Sequence, residues 1–514
     1  MEDGLMKVKN SKRIIALILS VIMLTMLIAA CASNGDDVTT ENGTTPTDTT
    51  PPEQEVDLHE ELEDIDLEVI DPYLTATITL GNWPPDTAPR AELALFESFR
   101  DIMSVQFPNV TLVPSFYSYT LGTYVPMALG GTAPNLFQPH FTDPQLLIGQ
   151  NLVADITDAL DEFGLTEKFM PGYLELFGDG TGRLYGLPRD GYVLGLHINI
   201  DLFEEAGLMD DDGLPMFPRT LQELAEKGQI IRETTGRAGL VFPASATFGG
   251  WLFSNIAWNF GAVGEYAITR QDADGNWYVD FTSPPMVEAM EFMRALRWEY
   301  DILHVDATTT DWARTHSILG TGEAAMNFAA DDAVDNPTAI SGLAVDRFAL
   351  VPFPAGPAGA YALNGGTGFM FSPDTTHDEA LATLHFLRIA GFLPFITDDI
   401  VAAMRAGASA MRERGAPVLP PIPAWDDEEF IAMQRQIVEE FSNVDMRLFN
   451  DFYDSLVDGR IMLRAEEPIH TQRLYRELTN AIQRIITTED ADVLEVLERA
   501  QTEFQAFLDE EVNR

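Results

Sequence analysis

The chain has 514 residues, with 31 Lys and Arg against 81 Asp and Glu, a formal net charge of -50 and one cysteine. A single cysteine excludes disulfides within the chain, cysteine-built zinc sites and, where it stands, a cysteine nucleophile. The acidic balance leaves no basic stripe to neutralise phosphates, so nucleic acid is not an expected partner, and a neutral solute suits the surface better than an anionic one.

Residues 7–13 (KVKNSKR) are basic, and residues 14–30 form an uninterrupted apolar run closed by Ala29 and Ala30, directly before Cys31. This pattern predicts an export signal; the alternative is a retained membrane helix, for which roughly 20 residues are needed. The stretch Ile28-Ala29-Ala30-Cys31 resembles the lipobox of bacterial lipoproteins. That resemblance implies cleavage before Cys31, a diacylglycerol anchor on its thiol, and a protein held on the extracytoplasmic face of the cell membrane. Glu2 and Asp3 sit ahead of the basic region, which leaves Met1 and Met6 both open as the start. Residues 31–73 are rich in Thr, Pro, Asp and Glu. They carry too little apolar surface to offset the entropy of ordering, and we expect an acidic stalk.

The folded body is expected to open at Leu74, where LTATITL alternates Thr with apolar residues as a half-buried strand does. A helix over 90–107 follows, closed by Pro108-Asn109, and then a second strand over 110–117. Strand, helix and strand in that order predict a parallel sheet with a right-handed crossover. Gly130-Gly131 is no phosphate loop, since neither a G-x-x-x-x-G-K-[ST] nor a G-x-G-x-x-G spacing surrounds it. In residues 183–208 (RLYGLPRDGYVLGLHINIDLFEEAGL), Pro188 biases its neighbour toward extended backbone, residues 192–198 read as a doubly buried strand, and Gly207 can close a short helix.

Further on, Thr220 and Glu223 have the spacing of a capping box. Residues 240–262 are the most aromatic stretch, and Trp251 follows Gly249-Gly250. Asp272-Ala273-Asp274-Gly275 predicts a hairpin turn, not a calcium loop, because its glycine comes too early and no glutamate closes it. No clustered His, Asp and Glu set indicates a metal, and no H-E-x-x-H or G-x-S-x-G indicates a hydrolase. Asp190 and Asp331 remain a conceivable acid and base on a glycosidic bond. The acidic tail from 428 to 514 should be helical, with Leu494, Leu497, Phe504 and Phe507 on its buried stripe.

Taken in order, these stretches resemble the sugar-binding type of extracellular solute-binding proteins of bacterial ABC importers. The likeness is carried by residues 127–138 (MALGGTAPNLFQ), by Gly182, Tyr185, Gly186 and Pro188 before Asn199, Asp201, Leu202, Phe203, Ala206, Gly207 and Leu208, and by residues 318–332 and 349–390. Asn135 stands where that family usually has aspartate. The resemblance implies an α/β, periplasmic-binding-protein-like fold of type II: two α/β lobes with a ligand cleft, one lobe from 74–195 plus 364–410, the other from 196–363 plus 411–514. It implies a monomer that takes a carbohydrate without cofactor, metal or catalysis, closes over it, and presents it to the membrane subunits of an ABC permease. A peptide or another small solute is the nearer alternative ligand, and a secreted glycoside-acting hydrolase the remoter reading. The implied ligand-binding residues are Trp83 and Trp251 as stacking surfaces with Trp258 beside them, Arg189, Asp190, Tyr192 and Asn364 as hydrogen-bonding groups, and Asp331 and Tyr361 at the cleft rim and hinge.

Overall fold

The computed structural model describes residues 68–88 and 90–513; Cys31, the expected signal and the stalk lie outside the described residues. Strand β1 (Ala76–Leu80) buries Ala76, Ile78 and Leu80 and turns its threonines outward. Helix α1 (Arg90–Gln106) returns the chain to β2 (Val110–Pro114), which pairs parallel with β1 from Ala76↔Val110 to Leu80↔Pro114. After α2 (Leu121–Leu129), β3 (Leu136–Phe137) joins the other edge of β1. Helix α3 (Pro171–Phe177) precedes β4 (Gly186–Pro188), the last strand of this sheet before the chain leaves it.

After three linking residues the chain is in a second sheet. Strand β5 (Tyr192–Asn199) is buried along nearly its whole length, as a central strand covered on both faces must be. Around it the second sheet assembles β6 (Ala238–Val241), β9 (Ala324–Ala330), β10 (Phe348–Pro352), β11 (Tyr361–Gly365) and β13 (Met462–Arg464). A small hairpin of β7 (Thr269–Gln271) and β8 (Trp277–Val279) carries the expected Asp-Gly turn, with Gly275 at φ 86°. The covering helices are α4 (Leu221–Thr235), α5 (Phe248–Phe260), α6 (Pro284–Trp298) and α7 (Trp312–Gly320). At α4, Thr220 accepts the amide of Glu223 as a capping box requires, but the Glu223 carboxylate reaches past Thr220 to the amide of Arg219.

The chain re-enters the first sheet as β12 (Gly368–Phe371), antiparallel between β3 and β4. Helix α8 (His377–Ile389) follows with a complete capping box from Thr376 and Glu379. The two lobes therefore exchange chain at 189–191 and at 366–367, a few residues outside the expected limits of 195 and 363. The reason is β5, whose first residues already pair with β11.

Helices α9 (Asp398–Glu413) and α10 (Glu428–Phe441) form a third passage with a small core of their own around Ile400, Met404, Phe430 and Ile437. The segment between them touches both lobes. Trp425 packs in the first core edge-on to Phe169, whereas Arg414 is bound to Asp335 and Tyr453 donates to the carbonyl of Pro420 at 2.9 Å. Residues from 411 onward are thus not all second-lobe material. Helices α11 (Thr471–Thr487) and α12 (Val493–Glu511) close the second lobe. The buried stripe of α12 runs through Val493, Val496, Leu497, Ala500, Phe504 and Leu508, while Leu494 is 45% exposed, one residue off the stripe. Each lobe keeps a separate hydrophobic core, one around Ile78, Phe99 and Phe137, the other around Leu194, Phe253 and Met326. Among the described residues no helix is long and apolar enough to cross a membrane.

Candidate functional site

The two crossovers lie side by side at the floor of the cleft. Asp190 accepts the amide and the hydroxyl of Thr367 through one oxygen, at 2.7 and 2.9 Å, and is ion-paired with Arg189 through the other. Arg189 also donates to the Thr367 hydroxyl at 3.1 Å and sits over the ring of Phe392. Both expected residues are therefore at the hinge, and each is already engaged in holding it.

Two glycines let aromatic rings approach this floor. A Cβ on Gly191 would lie 2.5 Å from the Tyr173 hydroxyl, and one on Gly365 would lie 2.4 Å from the Tyr192 ring. Tyr192 stands edge-on to Trp251 with centroids 6.3 Å apart, and Trp251 edge-on to Trp312 at 5.5 Å. Trp312 in turn stacks on Phe248 at 5.7 Å and meets His316 at 4.5 Å. All of the first three are only partly buried. The second lobe thus presents a row of aromatic groups beginning at the hinge and running outward from it. Trp312 was not expected, since it comes from the start of α7 and its neighbours lie far away in sequence.

Carboxylates gather around Tyr192. Strand β9 ends at Ala330, so Asp331 and Asp332 follow at once, and Asp331 accepts the amide of Val193 at 2.7 Å. Burial pushes the Asp331 carboxyl up to about 7, against that hydrogen bond. Asp332 keeps contact with water in the cleft, yet protein crowds it, and desolvation with the nearby charges of Asp331 and Asp190 raises its carboxyl well above the usual range. Glu466, in the loop before α11, accepts the Tyr475 hydroxyl at 2.8 Å and is likewise raised to about 7, chiefly by burial. Opposite it the first lobe brings Asp143, which accepts the Tyr119 hydroxyl at 2.9 Å and whose carboxyl burial also raises. Glu466, Tyr173 and Asp143 carry no sequence signal that marks them; only tertiary packing brings them here. Asn364 lies on β11 opposite Val193, its Oδ1 buried and without a partner.

Two of the expected positions are in the cores. Trp83 is 7% exposed, edge-on to Phe96 with Arg100 over its ring, so it belongs to the first core. Trp258 is fully buried in the second core, where its indole N–H donates to Glu467 at 3.0 Å and Arg464 covers its ring. Glu467 also accepts the amide and hydroxyl of Thr269, at 3.1 and 2.6 Å. Tyr361 lies on the face of β11 that Gly365 turns toward Tyr192, four residues further along the strand, and its backbone is tied to α5 through Asn255 and Asn259. Trp83 and Trp258 follow strand and helix patterns that a core residue and a cleft residue share.

Among the described residues no group of three His, Cys, Asp or Glu side chains is arranged to hold a metal ion. The acceptors, aromatic faces and hinge can grip a small organic solute. As an acid and base pair Asp190 and Asp331 are poorly suited, because both oxygens of Asp190 are engaged.

Residues 92–398 match the family described as bacterial extracellular solute-binding protein. No curated protein matches the chain. Among solved structures, the chain is similar to the GacH receptor of Streptomyces glaucescens, solved unliganded and with acarbose: TM-score 0.57, 17% identity, covering 85% of this chain and 99% of that one. It is similar also to UgpB from Mycobacterium tuberculosis in complex with glycerophosphocholine, with TM-score 0.61, 17% identity and 85% and 99% coverage. A third is the cyclic α-maltosyl-1,6-maltose binding protein from Arthrobacter globiformis, with TM-score 0.57, 17% identity and the same coverage. At these identities the likeness is one of fold: a type II periplasmic-binding-protein architecture of two α/β lobes about a cleft.

Proposed function

This chain belongs to the bacterial extracellular solute-binding proteins, and from that premise we propose that it captures a carbohydrate between its lobes and delivers it to an ABC permease. The observation that supports a carbohydrate is the row Tyr192, Trp251 and Trp312 beside hydrogen-bonding groups. Sugar rings present apolar C–H faces to aromatic surfaces while their hydroxyls seek polar neighbours. In this reading Trp251 and Trp312 stack on rings, and Asp331, Asp332, Asn364 and Glu466 take hydroxyls. Arg189 and Asp190 serve the ligand by fixing the hinge. Closure follows because a solute touching both lobes gives the closed state contacts that the open state lacks.

The chain acts as a binder that returns its ligand unchanged, and the lipid anchor implied by Cys31 keeps it at the membrane where the permease is. The test is a thermal-shift screen of the protein against mono- and oligosaccharides, with short peptides beside them. A ligand at 100 times its dissociation constant adds about 2.7 kcal/mol of stability. A saccharide that stabilises and is recovered intact is the expected result; stabilisation by peptides alone, or consumption of the saccharide, overturns it.

A further inference from the structure

We propose that His197, His316 and Asn327 enclose fixed water beneath the cleft wall of the second lobe, and that this water seats Trp312, a role that rests on the aromatic row being part of the solute site. The three side chains come from three elements, and each is at most 1% exposed. His197 on β5 and Asn327 on β9 are direct cross-strand partners, so they leave the sheet on the same face. His316 meets His197 from α7: its ring centroid is 6.0 Å from that of His197 and 4.5 Å from that of Trp312, one turn earlier in the helix. Five polar atoms of this group, His197 Nδ1, both ring nitrogens of His316 and both amide atoms of Asn327, are buried without a hydrogen-bond partner in the protein.

Buried polar atoms in folded proteins are paired, with ordered water where the protein itself supplies no partner. Here their chemistry selects water. His197 Nε2 lies 3.0 Å from the carbonyl oxygen of Ala330, and a carbonyl only accepts, so that nitrogen carries the hydrogen. Burial pulls the His197 ring down to about 3; it is therefore neutral, and its Nδ1 is an acceptor. His316, which burial also keeps neutral, adds one donor and one acceptor, and Asn327 adds two N–H donors and a carbonyl oxygen. Water donates and accepts alike and meets such a set without charge. A metal cation would leave the Asn327 N–H donors unpaired and, among neutral ligands, set its charge uncompensated in the core. Two ordinary hydrogen bonds meeting at one water span about 4.7 Å between nitrogens, which suits rings 6.0 Å apart. Asn199, two residues beyond His197 on β5, donates to the Leu319 carbonyl at 2.9 Å and fixes the far end of α7. The water ties the middle of α7, at His316, to β5 and β9, one turn from Trp312.

The first test is a crystal structure of the solute-free protein. Water within about 2.7–3.2 Å of His197 Nδ1, His316 and Asn327, with no anomalous scattering from a transition metal, is the expected result. A metal peak, or side chains with no water between them, overturns the proposal. The second test reads Trp312 in protein labelled with fluorotryptophan, its fluorine resonance identified by Trp312→Phe. Asn327→Leu keeps the volume and removes the amide. It should lower the melting temperature by several degrees and shift or broaden the Trp312 resonance, leaving those of Trp83 and Trp425 in the first core fixed. Asn327→Ser, which keeps a donor and an acceptor and leaves room for a further water, should hold the Trp312 resonance at its wild-type position. An Asn327→Leu protein that melts at or above wild type overturns the hydration, since its amide was then unpaired. A Trp312 resonance unmoved by Asn327→Leu, or displaced as far by Asn327→Ser, overturns the seating. Neither readout uses a solute, so failure of the carbohydrate reading leaves the hydration standing, and a dry or metal-filled site leaves the carbohydrate reading standing.

Discussion

Gly250 is where a single methyl group should separate packing from propensity. It lies in the first turn of α5, and a Cβ there would stand 2.1 Å from the carbonyl oxygen of Tyr475 and 2.5 Å from its Cα, both backbone of α11. Ordinary contact needs about 3.4 Å or more, so α5 and α11 must part by about 1 Å, since a backbone carbonyl cannot swing aside as a side-chain tip can. A gap of that size forfeits roughly a quarter to a half of each dispersion contact along the seam, which includes Leu474, Leu478 and Ile482. The bond from the Gly250 amide to the Thr479 hydroxyl, 2.8 Å, lengthens with it. Against this, Gly to Ala in a helix gains about 1 kcal/mol of propensity. Overpacking costs about 1–3 kcal/mol and more against rigid backbone, so sterics win and Gly250→Ala should lose about 2 kcal/mol net. Gly122, in the first turn of α2 with nothing within 4 Å of its would-be Cβ, is the control. Gly122→Ala keeps only the propensity and should be neutral or gain up to about 1 kcal/mol. Urea unfolding of both variants decides the matter. A Gly250→Ala protein as stable as wild type would refute the reasoning.

Other substitutions separate the cleft from the core. Glu467→Gln leaves three donors facing one carbonyl acceptor and should cost about 2 kcal/mol in urea unfolding while solute affinity stays unchanged; a loss of affinity alone would return Trp258 to the cleft. Trp312→Ala should weaken binding about tenfold with the fold intact by circular dichroism, and unchanged affinity would remove it from the binding surface. Asp331 and Glu466 titrate near 7 in the folded chain and about 4 unfolded. The folded state then holds the extra protons between about pH 4 and 7, so these groups make stability fall as pH rises through that window. Melting curves of Asp331→Asn and Glu466→Gln across pH 4 to 8 should fall less steeply than wild type there. Slopes identical to wild type in both would contradict the burial assigned to them.

The order of strands and helices, the hairpin turn and the crossover at Pro188 were legible because each rests on local chemistry: alternation, Gly at positive φ, Pro before an extended residue. The aromatic site was legible only in part. Trp251 and Trp258 are seven residues apart in one helix, hence on nearly the same face and about 10 Å apart in height. Periodicity assigns them alike, and only the depth of each in the lobe makes one half-exposed and the other wholly buried. Glu466 and Glu467 are adjacent and chemically identical, yet one contributes to the cleft and the other binds an indole in the core. Trp312 and Asp143 acquire their role from partners that no short-range pattern brings together. Leu494 shows the same limit at smaller scale, one position off a stripe.

The passage through residues 414–425 turns the linkage between the lobes into a question of kinematics. Two adjacent strands crossing at 189–191 and 366–367, bound to one another through Asp190 and Thr367, would alone permit twisting as well as bending. A third strap, fixed to one lobe at Trp425 and to the other at Arg414 and Pro420, adds an attachment apart from those two strands and so opposes the twist more than the bend. A linkage that opposes twisting narrows the range of closed geometries, so a solute too large for the space that bending encloses should leave the lobes ajar.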